Sequence, residues 1–120
     1  MGQYVDGYLL PVPKKNLKAY KVMATKGAKI WREHGALDYR ECVGDDLNPG
    51  FGLPFTKVVK VKPGETVFFS YVTFKSRAQR DKVNAAVMKD PRLSAMCDPK
   101  NMPFDCKRMA MGGFETLVKG

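Results

Sequence analysis

His34 is the single histidine in this chain of 120 residues, and imidazole is the side chain that ionises near neutrality without help from its surroundings. It is therefore the first acid-base candidate. It also falls in the last turn of an expected helix, immediately before Gly35, where the helix dipole favours a protonated ring, so capping competes with catalysis for it. Trp31 lies one turn earlier, flanked by Arg32 and Glu33. An aromatic wall beside charged groups suits a pocket between helix and sheet, although a tryptophan there also serves as plain core. In the strand that should follow, alternation puts Tyr39 and Glu41 on one face and Asp38 and Arg40 on the other. Either pair could set an acid or base beside a substrate, and cross-strand ion pairs would use the same residues. Glu41 is accordingly the second catalytic candidate. Trp31, Tyr39, Arg40 and Tyr71 are candidate ligand contacts, with Trp31 and Tyr71 as walls and Arg40 joining Glu41 as a polar selector.

Composition removes several other chemistries. Cys42, Cys97 and Cys106 are odd in number, widely spaced and without a Cys-x-x-Cys pair, which fits reduced thiols rather than a disulfide framework or a zinc site. One histidine does not make a transition-metal cluster within a protomer, nothing resembles a calcium loop, and no feature requires a cofactor. The net charge of +9, from 21 basic and 12 acidic residues, would draw polyanions. The basic residues are spread out, however: Lys14, Lys15, Lys18 and Lys21, then Lys57, Lys60 and Lys62, then Arg77, Arg80 and Lys82. That spacing favours a solvated surface over a nucleic-acid groove. No stretch approaches the ~20 apolar residues of a bilayer span, and the first six residues lack the regions of a secretory signal, so the expected location is the cytosol.

The elements that must position the candidate residues can be read from periodicity. At this length residues 1–120 form one domain with enough chain for a packed core. Residues 4–12 read as a strand ended by prolines. Residues 16–34 read as an amphipathic helix with Leu17, Tyr20, Ala24, Ala28 and Trp31 as its buried stripe, stopped by a left-handed Gly35. Residues 36–44 give a second strand, and the Gly- and Pro-punctuated residues 44–54 a loop that is either a lid or a plain connection. Residues 56–61 and 66–74 read as a hairpin about Pro63-Gly64, a type II turn, which makes five strands. Ser76 should cap a second helix to residue 89, with Ala78, Val83, Ala86 and Val87 inward, and Asp90-Pro91 should open a short extra helix to residue 96. Residues 108–118 form the last strand, in which Gly112-Gly113 marks a bulge or a close backbone approach. The fold class is α+β: a ferredoxin-like βαββαβ order with an extra hairpin strand, an antiparallel sheet and two main helices on one face.

The strand containing Val67, Phe68, Phe69, Ser70, Tyr71 and Val72 is apolar on both faces, whereas two helices cover only one. With Val5, Gly7, Leu9, Phe68, Val72 and Phe74 beneath the helices, the open face carries Tyr4, Asp6, Tyr8, Phe69 and Tyr71. Burial of that set against a second copy predicts a homodimer, with Asp6 needing a partner such as Arg40 or Arg108. RNA-recognition motifs share the topology and stack bases on such aromatics, but the basic residue and glycine that lead their signature are replaced here by Val67 and Phe68. The dimer is the preferred reading.

The runs Leu10-Pro11-Val12-Pro13-Lys14-Lys15-Asn16-Leu17, Trp31-Arg32-Glu33-His34-Gly35-Ala36-Leu37, Tyr39-Arg40-Glu41-Cys42-Val43-Gly44-Asp45-Asp46, Lys62-Pro63-Gly64-Glu65-Thr66-Val67 and Val87-Met88-Lys89-Asp90-Pro91-Arg92-Leu93 carry a further signal. With Tyr4-Val5-Asp6-Gly7, Met102-Pro103-Phe104-Asp105 and Gly112-Gly113-Phe114, they resemble the YbaA-like family of small bacterial proteins, domain of unknown function family 1428. The resemblance spans nearly the whole chain. It implies membership of the dimeric α/β-barrel superfamily, in which ferredoxin-like protomers pair their sheets face to face. That superfamily includes cofactor-free oxygenases, isomerases, haem-handling enzymes and stress-related proteins, so it selects no chemistry. The functional expectation is a homodimer that binds or transforms a small organic molecule in a helix-sheet pocket. A noncatalytic interaction or stress-associated dimer is the alternative, and an RNA-binding module ranks behind both.

Overall fold

The computed structural model describes residues 2–120. Four strands form one antiparallel sheet in the order β2-β3-β1-β4: β1 Tyr4–Pro13, β2 Asp38–Val43, β3 Glu65–Phe74 and β4 Ala110–Glu115. The helices are α1 Leu17–Glu33, α2 Phe55–Val58, α3 Arg77–Met88 and α4 Pro91–Met96. Ile30 of α1 and Val83 and Val87 of α3 pack on Tyr4, Val72 and Phe74 of the sheet, while Tyr20 packs on Leu10, Val12 and Phe68 further along the same face. Each such apolar side chain, moved from water to the interior, contributes about 1.5 to 3 kcal/mol. The buried stripe of α1 is Tyr20, Gly27 and Ile30, rotated slightly from the expected one, so that Ala24, Ala28 and Trp31 flank it half-buried.

The local signals act largely as their chemistry requires. Gly35 takes φ +118° after α1, and the Ala36 amide returns to the Trp31 carbonyl at 3.0 Å. The Ser76 hydroxyl accepts from the Gln79 amide to cap α3, and Asp90 caps α4 with Pro91 behind it. In α3 Val83 and Val87 are buried, Ala86 is half-buried and Ala78 is exposed.

Two expectations are corrected, and one pair of alternatives is decided. The sheet has four strands, because residues 55–58 form α2 and not the first arm of a hairpin. Phe55, Val58 and Val59 stand at helical spacing behind Pro54, and Phe55 lies against Phe69 with ring centroids 6.2 Å apart. The Pro63-Gly64 turn itself is present, with Gly64 at φ +82° and the Glu65 amide donating to the Lys62 carbonyl. In β4 the pairing with β1 runs unbroken from Ala110 to Glu115, so the glycine pair is a close approach and not a bulge: a Cβ at Gly113 would collide with the Tyr4 ring.

The second correction concerns the faces of β1. Tyr4, Asp6, Tyr8 and Leu10 stand opposite Phe74, Val72, Ser70 and Phe68, so all eight share the face beneath the helices. Val5, Gly7 and Leu9 stand opposite Thr73, Tyr71 and Phe69 and share the open face. Both faces of β1 are apolar enough that alternation alone does not orient it. Asp6, expected on the open face, is 3% exposed, and α3 supplies its partners. The Asn84 amide donates to its Oδ2 at 3.1 Å, and Arg80 Nε lies 3.8 Å from Oδ1. Neither Arg40 nor Arg108 fills that role, since Arg40 pairs with Asp38 and Arg108 with Glu65.

Candidate ligand site

A cavity of about 370 Å³ lies between α1, α4, the segment before β4 and the helix-covered face of the sheet. Its walls are almost wholly apolar. Tyr8 and Tyr39 of the sheet and Trp31 of α1 form aromatic surfaces, and Met88, Met96 and Met109 close it from the helical side and the loop. The volume and the lining resemble those of ordinary small-molecule sites, and thioethers adapt to irregular shapes.

Glu41 interrupts this apolar wall. Its position in β2 opposite Ser70 of β3 points it to the helix side of the sheet, together with Tyr39. Three hydroxyls donate to its carboxylate: Tyr20 to Oε1 at 2.7 Å, Ser70 also to Oε1, and Tyr39 to Oε2 at 2.9 Å. Oε1 is thus doubly occupied, and Oε2 keeps one acceptor position for a further donor. Burial raises the pKa of both tyrosines far above the ordinary phenol value, and the neighbouring carboxylate adds to the effect. They remain donors at any physiological pH. Tyr8, on the same cavity wall, is pushed up to about 12 by burial and then by Asp6. Its hydroxyl has no side-chain hydrogen bond among the described residues, which leaves a protonated donor facing the cavity.

A second polar network braces the aromatic wall. Trp31 Nε1 donates to Asn84 Oδ1 at 3.1 Å, and Asn84 in turn donates to Asp6. Arg80 donates to the Tyr4 hydroxyl at 3.1 Å and stacks over the Tyr4 ring at 4.8 Å. The indole and Tyr39 rings meet with centroids 5.9 Å apart. Gly27 makes room for this contact, since a Cβ there would lie 3.2 Å from the Tyr39 hydroxyl.

The structure brings Glu41, Trp31 and Tyr39 together at the cavity and leaves His34 outside its lining. His34 Nε2 instead lies 2.8 Å from Asp90 Oδ2, in a cluster that continues through Arg92 to Glu33. Arg92 and then His34 hold the Asp90 carboxyl far below its ordinary pKa. This ties the end of α1 to the start of α4. Arg40 and Tyr71 border the cavity along their strands, but their side chains alternate to the open face. Of the expected interface set, Phe69 and Tyr71 lie on that face, and Tyr4, Asp6 and Tyr8 do not. Sequence reasoning missed Tyr20 and Ser70 as partners of Glu41. Ser70 carried a signal, because a hydroxyl in the middle of an apolar strand needs a polar partner once buried.

Among the described residues no cluster of three or more His, Cys, Asp or Glu side chains is arranged to hold a metal, and no helix is long and apolar enough to cross a membrane. The three cysteines are free and exposed.

A four-stranded antiparallel sheet crossed on one face by α1 and α3 defines a ferredoxin-like α+β protein. A crystal structure described as a dimeric ferredoxin-like protein from an uncultured marine organism superposes over 100% of both chains with a TM-score of 0.62 at 9% identity, a likeness of fold. Residues 3–106 match the family described as Protein of unknown function (DUF1428), and the chain belongs to that family. It is also 40% identical over 116 residues to the uncharacterized protein YbaA of Escherichia coli K12, covering 97% of each chain, and equally similar to YbaA of Shigella flexneri.

Proposed function

We propose that each protomer binds a small, largely apolar organic molecule in the cavity between α1 and the sheet, with Glu41 as its polar anchor. The observation that carries this reading is the Glu41 carboxylate, held by three hydroxyls at the wall of an otherwise apolar cavity of about 370 Å³. Glu41 is half-buried, and withdrawing a carboxylate from water even in part is costly; three donors offset the cost while fixing its direction. A molecule with an apolar body and a hydrogen-bond donor would meet the open position on Oε2, and an acceptor beside it would meet the Tyr8 hydroxyl. Native mass spectrometry of the protein purified at modest salt tests the proposal. A retained small-molecule mass that is lost in Glu41→Leu supports it. An empty protein that also gains no thermal stability from a diverse panel of apolar amines, alcohols and ketones overturns it.

The working unit is proposed to be a homodimer formed through the open sheet face, in the cytosol, where the three exposed thiols would stay reduced. Val5, Leu9 and Tyr71 are half-buried there, and Phe69 and Phe114 are 47% and 61% exposed. Gly7 and Gly112 are paired there, and the Phe114 ring lies over both, 3.5 and 3.6 Å from where their Cβ atoms would be. The sheet-pairing assembly implied by the family resemblance, and the dimeric description of the marine protein, support the same arrangement. RNA stacking is less well served, because Tyr4 lies under the helices and leaves the stacking set. The same mass spectrum reads the subunit count, and a monomer across micromolar concentrations would overturn the assembly.

A further inference from the structure

Glu41 differs from the other paired carboxylates in the kind of partner it has. Asp6 and Asp81 face Arg80, Asp38 faces Arg40, Glu65 faces Arg108, and both Asp90 and Glu33 face Arg92. Glu41 has hydroxyl donors alone, and no basic side chain within salt-bridge distance among the described residues. This occurs in a chain with an excess of nine positive charges. Lys21 borders a shallow cleft on the far side of α1 that also reaches Glu41, but its side chain is exposed and makes no ion pair with the carboxylate. Arg40 is held on the opposite sheet face by Asp38 at 2.9 Å. Arg80 behind Tyr8 is shared by Asp6 and Asp81, so no positive charge is left over there, and the charge presented to the cavity is that of Glu41.

Hydroxyl donors disperse a carboxylate charge but do not neutralise it, and in a weakly polarisable cavity the remaining field acts strongly on whatever enters. The rest of the wall suits a cation as well. Trp31, Tyr8 and Tyr39 present aromatic surfaces, whose faces attract organic cations, and Tyr20 adds a fourth ring beside the carboxylate. An anionic ligand would meet Glu41 with no positive group on the wall to compensate. A neutral one would leave the charge as it stands.

We propose that the ligand of this cavity is an organic cation, an amine or quaternary ammonium carried on an apolar body, with Glu41 as counter-ion and the surrounding rings as its cage. The inference rests on the proposal that the cavity is a ligand site, and the test separates the two. The probes are benzyltrimethylammonium, its uncharged isostere neopentylbenzene, and benzylsulfonate. Binding is followed through the methyl signals of ¹³C-methyl-methionine protein, assigned by single Met→Leu variants, since Met88, Met96 and Met109 line the cavity.

The expected result is that the cation shifts the cavity methionines and binds at least tenfold more tightly than the isostere, while the sulfonate leaves them unmoved. Glu41→Gln, which preserves an oxygen acceptor for the hydroxyls, should erase the cation's advantage and keep the isostere's binding. Equal or tighter binding of neopentylbenzene in the wild type would overturn the cation while leaving the cavity as a ligand site. Silence of all cavity methionines to all three probes would overturn both. The wild-type probe series decides the matter even if Glu41→Gln folds poorly.

Discussion

Truncating Phe69 should break the proposed dimer while leaving the protomer folded. The ring is 47% exposed in the single protomer, so roughly 90 Å² of its surface, taking ~200 Å² for a phenylalanine, is available for burial by a partner. At ~25 cal/mol per Å² that is about 2.3 kcal/mol, and two-fold symmetry counts it twice. Incomplete burial and the methyl group retained by alanine reduce the loss, so Phe69→Ala should weaken the dimer by about 2 to 4 kcal/mol, about 30-fold to 900-fold in Kd. Phe114→Ala, on the neighbouring β4 and 61% exposed, should act in the same range by an independent contact. Sedimentation velocity across micromolar concentrations reads the change, with thermal unfolding checking that the contacts of Phe69 with Phe55 and Tyr71 are not what failed. A dimer whose Kd is untouched by both substitutions would refute the sheet face as its interface.

Gly113→Ala drives a methyl group into the Tyr4 ring and should cost about 1 to 3 kcal/mol in urea unfolding, whereas Gly112→Ala, whose Cβ would sit 3.6 Å from the Phe114 ring, should be neutral or better; equal effects would contradict the β1–β4 packing. The raised pKa values of Tyr8, Tyr20 and Tyr39 mean that the folded state holds protons the unfolded chain releases near pH 10, so this stability is complete below pH 10 and is lost as pH rises toward the folded values. Tyrosinate absorbance should show these three phenols ionising only as the protein unfolds, and a double Tyr20→Phe, Tyr39→Phe variant should lose stability less steeply above pH 10. Asp90 has the opposite sign: its depressed carboxyl stabilises the fold above the ordinary value of 3.8 and ceases to as pH falls through its folded value. The stability gap between wild type and Asp90→Asn should therefore be full at pH 6 and close in strong acid, and a gap that stays constant would sink the His34–Asp90–Arg92 reading. Arg80→Met strands Asp6 with Asn84 alone and should cost about 2 to 4 kcal/mol, most of it recovered when Asp6→Leu is added; no recovery in the double variant would count against the pair.

The helix signals were legible because they are local: Gly35, Ser76 and Asp90-Pro91 do their work within a turn of where they stand. The arm before Pro63 is ambiguous in the sequence because Phe55, Val58 and Val59 fit a helix as well as their neighbours fit a strand, and the helix is the form in which Phe55 packs on Phe69. The facing of β1 was not legible for a related reason. Its alternate residues are apolar on both sides, and the one decisive polar residue, Asp6, is buried by groups that lie 74 and 78 residues away on α3, at Arg80 and Asn84. The candidate site was half legible: Tyr39 and Glu41 share a face by strict alternation, but nothing in the local sequence says that Tyr20 and Ser70 will complete the cluster. His34 stands out by its chemistry, but its partner Asp90 lies 56 residues on, and no local signal announces the pair.

The sheet separates the two proposed interactions by alternation alone. In β3, Phe68, Ser70 and Val72 face the helices and Phe69 and Tyr71 face outward, so the residue that orients Glu41 and the ring that would meet a partner are neighbours in sequence on opposite faces. Linkage demands that any effect of ligand on assembly be matched by an equal effect of assembly on ligand affinity. Here such an effect has to pass through the backbone of β3 or β1, the two central strands, each paired on both sides and therefore the least able to shift. The architecture thus favours a dimer that forms whether or not the cavity is filled, and a cavity whose selectivity is set within one protomer. In that arrangement a single residue, Glu41, would set the charge of what the proposed site can hold.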